Sequence, residues 1–123
     1  MLTSKILIAE DDQFLANAYR VKFEKSNYTV KLVFDGEEAL KEVISFKPDI
    51  ILLDLVMPKK DGFVTLVELK SDPKTAKIPV VVTTNLSQES DIAKVKDLGA
   101  IDYLVKSDTS LQAIVEKITG YLK

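Results

Sequence analysis

Glu10, Asp11, Asp54, Thr84 and Lys106 each stand at the carboxyl end of a short apolar run. The runs are Ile6-Leu7-Ile8-Ala9, Ile50-Ile51-Leu52-Leu53, Val80-Val81-Val82-Thr83 and Tyr103-Leu104-Val105. If they are buried parallel strands, their polar terminal residues converge, because the ligand crevice of an open parallel sheet lies beyond the strands' carboxyl ends. Three carboxylates, a hydroxyl and an ammonium in one crevice suit a divalent cation and a phosphoryl group. Carboxylates packed together repel and raise one another's pKa. A Mg²⁺ ion relieves that repulsion, taking one or two carboxylates with waters and phosphate oxygens. On this reading Asp11 and Asp54 ligate the metal and Glu10 holds a coordinated water. Lys106 is a point-charge partner for phosphate and Thr84 a hydroxyl donor. An ionised Asp54 needs no general base to attack phosphorus, so catalysis reduces to positioning and charge neutralisation.

Each residue alone has an ordinary explanation. Glu10-Asp11-Asp12 reads equally as a helix N-terminus favouring negative charge. Asp54 is a strand leaving the core, Thr84 a β-branched strand residue and Lys106 a surface lysine. The coincidence is what carries weight: four separate strands deliver complementary groups to one edge.

Composition narrows the chemistry. The 123 residues amount to about one domain. A hydrophobic content of 46% supports a full core, and a net charge of −2 argues against nucleic acid as the main partner. The chain has no cysteine and no histidine, which removes disulfides, thiolate and imidazole chemistry and most transition-metal sites. No apolar stretch approaches the ~20 residues that cross a bilayer, and Met1 to Lys5 lacks a signal peptide's apolar region. A cytoplasmic protein without membrane contact is expected.

The elements that must position these residues alternate five times. Strands are expected at Lys5 to Ala9, Thr29 to Val33, Ile50 to Asp54, Val80 to Thr84 and Asp102 to Val105. Between them, a helix from Gln13 to Lys25 aligns Leu15, Ala18, Tyr19 and Phe23, and one after Asp35-Gly36 aligns Ala39, Leu40, Val43 and Ile44. A third runs from about Gly62 to Lys70. Ser87 is read as the N-cap of a fourth presenting Ile92, Val95 and Leu98, stopped by Gly99. The last aligns Leu111, Ile114, Val115, Ile118 and Leu122, with Thr109 and Gln112 spaced as a capping box. This alternation predicts an α/β fold: a parallel sheet with helices on both faces, joined by right-handed crossovers, in one domain over residues 1–123.

With these motifs in place the chain resembles the receiver domain of two-component response regulators, of the kind found in chemotaxis regulators. The matching segments are Lys5 to Asp11, Ile51 to Pro58 with Asp61-Gly62, Pro79 to Thr84 and Tyr103 to Lys106, and they span nearly the full length. The resemblance implies a flavodoxin-like, doubly wound five-stranded sheet in the order 2-1-3-4-5 with five helices. It implies that Asp54 is the phosphoacceptor, served by a sensor histidine kinase or a histidine phosphotransfer protein. Glu10, Asp11 and Asp54 would hold Mg²⁺, with Mn²⁺ able to substitute, and Val56 would add its backbone carbonyl. Thr84 becomes the switch hydroxyl and Tyr103 the switch aromatic, acting on a downstream protein target through the fourth helix and fifth strand. A phosphorylation-dependent homodimer through the fourth and fifth helices is a further implication. No output domain is expected in this chain, nor turnover of a separate substrate.

Two residues depart from the family pattern. Ser107 replaces the proline, often cis, that commonly follows the lysine, and Asn85 replaces a small residue after the switch threonine. Val56 and Leu86, beside the site, are both apolar and offer nothing to orient an attacking water, so a long-lived aspartyl phosphate is expected. Three rivals are weaker. A haloacid-dehalogenase-like phosphatase wants a second acid where Val56 stands, together with a cap domain. A dinucleotide site wants a glycine-rich turn where Glu10-Asp11-Asp12 stands. A relay shuttle would keep the fold but pass the phosphate from Asp54 to another histidine protein.

Overall fold

Side chains of a strand point alternately to its two faces, and here both sets are apolar, so the sheet has to be covered on two sides. The computed structural model, which describes residues 3–86 and 88–123, shows that arrangement. Strands β1 (Lys5–Ala9), β2 (Thr29–Val33), β3 (Ile50–Leu53), β4 (Val80–Thr84) and β5 (Asp102–Val105) form one parallel sheet in the order β2-β1-β3-β4-β5. This is the order that the resemblance implies. The helices are α1 (Gln13–Lys25), α2 (Gly36–Phe46), α3 (Gly62–Ser71), α4 (Glu89–Asp97) and α5 (Leu111–Leu122).

Sequence parity sorts the core. Ile6 and Ile8 of β1, Ile50 and Leu52 of β3, Val81 of β4 and Leu104 of β5 pack against Tyr19 and Phe23 of α1 and Ile114, Val115 and Ile118 of α5. Their neighbours Leu7, Ala9, Ile51, Leu53, Val80 and Val82 face α2, α3 and α4 through Val43, Leu66, Leu69 and Val95. Two helices thus cover one face and three the other. The central strands β3 and β4 are buried along their whole length, whereas the edge strand β2 is half open to solvent.

Three helices start on aspartates that accept a backbone N–H of the first turn: Asp12 from Leu15, Asp35 from Glu38 and Asp61 from Val64. Asp12 is therefore a cap, as the ordinary explanation of the acidic run has it, while Glu10 and Asp11 are not. Gly62 opens α3 where a Cβ would lie 2.2 Å from the Asp54 carbonyl oxygen, so only glycine lets α3 begin against the end of β3. Gly99, at φ +107°, stops the fourth helical segment as expected.

Some expectations shift. The β3 strand ends at Leu53, although the Asp54 N–H still bonds the Ala9 carbonyl at 3.0 Å. Ile44 is 44% exposed and not part of the α2 stripe, because Ala39 and Val43 alone face the core fully. The capping box is displaced: Ser110, not Thr109, caps α5, accepting from the Ala113 N–H at 3.1 Å. A 3₁₀ turn over Lys106–Asp108 leaves Thr109 in extended conformation to close it, which moves the helix start by one residue. Gln112 instead accepts from Lys22 on α1 at 3.2 Å. Ser87 lies outside the described residues; α4 begins at Glu89 after Gln88, which makes no side-chain cap.

Candidate functional site

The expected residues meet at the carboxyl edge of the sheet. A cleft of about 280 Å³ is lined by Asp11, Asp54, Val56, Thr84, Asn85 and Lys106. A larger hollow of about 530 Å³ lies elsewhere, between α2 and the segment after α3, and brings only Glu68 and Asp72 as charged groups. The chemistry belongs to the smaller cleft.

Position along each strand explains the convergence. Glu10 stands two residues beyond Ile8, Asp54 two beyond Leu52 and Lys106 two beyond Leu104, so all three rise from the α1/α5 face of the sheet. Lys106 bridges the other two: its Nζ donates to Glu10 Oε1 and, at 2.9 Å, to Asp54 Oδ2. Glu10 Oε2 accepts the Asp12 N–H at 3.1 Å, and Asp54 Oδ1 accepts a long 3.3 Å bond from the Val56 N–H. Glu10, Asp11 and Asp54 each offer a carboxylate oxygen, all within 4.8 Å of one another.

Glu10 and Asp54 are 2% and 5% exposed, while Asp11 is open to solvent. Burial pushes Glu10 up to about 7, against the opposing pull of the Lys106 and Asp12 hydrogen bonds, and the Asp54 charge adds to the rise. Burial works to lower the Lys106 pKa, but its bonds to Glu10 and Asp54 and their charges outweigh it, so the ammonium is held above its ordinary value. One ammonium against three carboxylates leaves a net negative charge. That excess, the all-oxygen donor set and its spacing fit a hard divalent cation.

Thr84 is fully buried, and its Oγ1 accepts the Leu86 N–H at 3.4 Å. The Tyr103 hydroxyl donates to the Leu86 carbonyl, so one loop residue is held by both expected switch side chains. Burial raises the Tyr103 pKa, and the charges of Asp91 and Asp54 add to it. Ser107 sits within the 3₁₀ turn after Lys106, so that turn forms without the family's proline.

Two readings change. Glu10 is the lysine's partner in addition to any role near the metal; sequence pattern shows which edge a residue reaches but not which neighbour it pairs with. Leu86 packs partly into the core beside α4 and does not line the cleft, whereas Val56, 58% exposed, does. The Leu86 peptide group is the participant that residue-type reasoning missed, because backbone groups leave no trace in a side-chain pattern. Residue spacing likewise marks Tyr19 only as part of a helical face.

Comparison with known proteins agrees with this architecture. A family model described as the response regulator receiver domain matches residues 6–119. The chain is 38% identical over 102 residues to the DNA-binding dual master transcriptional regulator RpaA of Synechocystis, covering 83% of this chain and 42% of that protein. The chain spans about half or less of the length of such curated relatives. Among solved structures, the phosphorylated cyanobacterial phytochrome response regulator RcpA superposes with a TM-score of 0.84 at 34% identity, over 98% of this chain and 91% of that one. The Mn²⁺-bound form of response regulator Rcp1 gives 0.81 at 30% identity, over 95% and 90%. This chain belongs to the response regulator receiver domain family of two-component signalling.

Proposed function

We propose that residues 1–123 form one receiver domain acting as a phosphoacceptor switch, with Asp54 as the site of phosphorylation. The observation that carries this reading is the Lys106 bridge between Glu10 and Asp54, placed beside Asp11 at a single cleft. A phosphohistidine of a sensor kinase or phosphotransfer protein is the proposed donor. An Asp54 oxygen attacks the phosphorus, the new O–P bond forms as the N–P bond breaks, and the electron pair leaves with the imidazole.

Glu10, Asp11 and Asp54, with the Val56 backbone carbonyl, are the residues that would hold Mg²⁺ or Mn²⁺. The bound cation would screen phosphate charge, and the Mn²⁺-bound state recorded for Rcp1 supports that assignment. Lys106, already on Asp54 Oδ2, screens the incoming group from the other side and orients the nucleophile. Thr84 has a hydroxyl proton to donate while its oxygen holds Leu86. The phosphoryl group adds roughly two charges and about 1–3 new charge-assisted hydrogen bonds. Drawn toward it, Thr84 carries Leu86 along and with it the Tyr103 contact, so that the surface of α4, β5 and α5 changes for a downstream protein target or a second copy. No separate substrate is turned over. Among the described residues no helix is long and apolar enough to cross a membrane, and the cytoplasm is the proposed location.

Beryllofluoride with Mg²⁺ tests the reading. We expect saturable binding by the wild-type chain and none by Asp54→Asn. Equal binding by both, or by neither, would remove Asp54 from the scheme.

A further inference from the structure

Ile44 belongs to the apolar stripe of α2 by its spacing, yet its side chain is 44% exposed. It stands on the wall of the 530 Å³ hollow between α2 and the segment after α3. It also lines a second hollow of about 390 Å³, walled by Pro48 and Ile78. The two hollows share Val43, Ile44 and Thr75, so they adjoin as one groove. Pro48 and Ile78 precede β3 and β4, which puts this end of the groove at the amino edge of the sheet, opposite the Asp54 cleft.

The floor is fixed by contacts within the protein. Thr75 is buried, and its hydroxyl donates to the Leu69 carbonyl at 2.6 Å. Lys70 Nζ donates to the Ala76 and Ile78 carbonyls at 3.0 and 2.8 Å, fastening the loop after α3 back onto that helix. Small-molecule sites are largely pre-formed hollows of roughly 300–1,000 Å³ with apolar walls and a few polar groups, and each hollow falls in that range. The charges differ between the two ends. At the larger hollow Glu68 is paired with Lys60, and Asp72 Oδ1 accepts the Lys74 N–H. At the smaller one stand Lys47 and Lys74, and among the described residues neither ammonium has an ion-pair partner. A ligand with an apolar body and one negative end therefore meets complementary charge in a single orientation.

From this arrangement we infer that the groove is a binding site for a small apolar carboxylate. Its hydrocarbon body covers Val43, Ile44 and Ile78, and its acid group lies at Lys47 and Lys74. Burial of the chain drives binding, while the two ammoniums orient the ligand and reject cations. The site stands apart from the phosphoacceptor cleft, and neither reading depends on the other.

Octanoate is the probe, with octan-1-ol and octylammonium as matched neutral and cationic chains. In labelled wild-type protein, octanoate should shift the methyl resonances of Val43, Ile44, Thr75 and Ile78 saturably. Octan-1-ol should bind there about five-fold more weakly, the worth of two partly exposed ion pairs, and octylammonium more weakly still. The double variant Lys47→Gln, Lys74→Gln changes two exposed side chains, and its octanoate affinity should fall to that of octan-1-ol. Equal binding of the three probes, undiminished octanoate binding by the double variant, or no octanoate binding would overturn the inference. So would shifts centred on Val56 and Val64, exposed apolar residues elsewhere on the surface. Self-association of the chain through these same methyl groups, unaffected by octanoate, would give the groove to a second copy and overturn it as well.

Discussion

Lys106 holds two buried carboxylates with one ammonium, so its removal tests how far that single charge supports the site. Surface ion pairs contribute little, but truncating one partner of a buried group leaves the other unsatisfied. Lys106→Ala is therefore expected to cost about 2 kcal/mol in metal-free protein. Added Mg²⁺ should recover part of the loss, since a cation restores positive charge; urea titration with and without the metal reads both effects. Tyr19 gives the pH dependence. Burial raises its hydroxyl to about 12 from an ordinary 10, with the Glu10 and Asp54 charges adding and Lys106 opposing. The folded state thus favours the protonated form. Stability due to this group is complete below pH 10 and is lost as pH rises through about 12. Denaturant midpoints of wild type and Tyr19→Phe should run parallel up to pH 10, and above it the wild type alone should fall.

Among the elements, the strands were the most legible part of the chain. Runs such as Ile50 to Leu53 and Val80 to Val82 are apolar at every position, which only a strand covered on both faces needs. Helix starts on Asp12, Asp35 and Asp61 follow from a side chain that satisfies an otherwise unpaired N–H. The start of α5 was harder, because Thr109 and Ser110 are both good caps and only the 3₁₀ turn before them decides which is used. Ser110→Ala is expected to lose about 1 kcal/mol, and Thr109→Ala a few tenths at most. Chemical denaturation of the pair checks the assignment, and a larger loss at Thr109 would return the cap to it. Ile44 stays outside the buried stripe for a different reason: helical spacing marks a stripe, but the width of the stripe depends on how closely α2 sits on the sheet.

For the whole molecule, the shared carboxyl ends of four strands were enough to bring Glu10, Asp11, Asp54, Thr84 and Lys106 to one edge, whereas strand order came only from family resemblance. What stayed hidden was pairing, since Glu10 and Lys106 are joined by a contact that no local pattern announces. Because the acidic cluster spans β1 and β3, a cation bound there ties folding to metal concentration. At a hundred-fold excess over its dissociation constant Mg²⁺ should stabilise the wild type by about 2.7 kcal/mol. Asp11→Asn should lose most of that gain, and calorimetric melting across a Mg²⁺ series measures it; an Asp11→Asn response equal to wild type would place the ion elsewhere. The Leu86 peptide has a wider consequence. Its N–H is fastened to Thr84 and its carbonyl to Tyr103, so a single amino acid links the fourth strand to the fifth. Under the proposed switch a signal passing that way depends on the backbone at position 86, and proline there would remove the N–H and sever the bond to Thr84 while leaving Thr84 and Tyr103 in place.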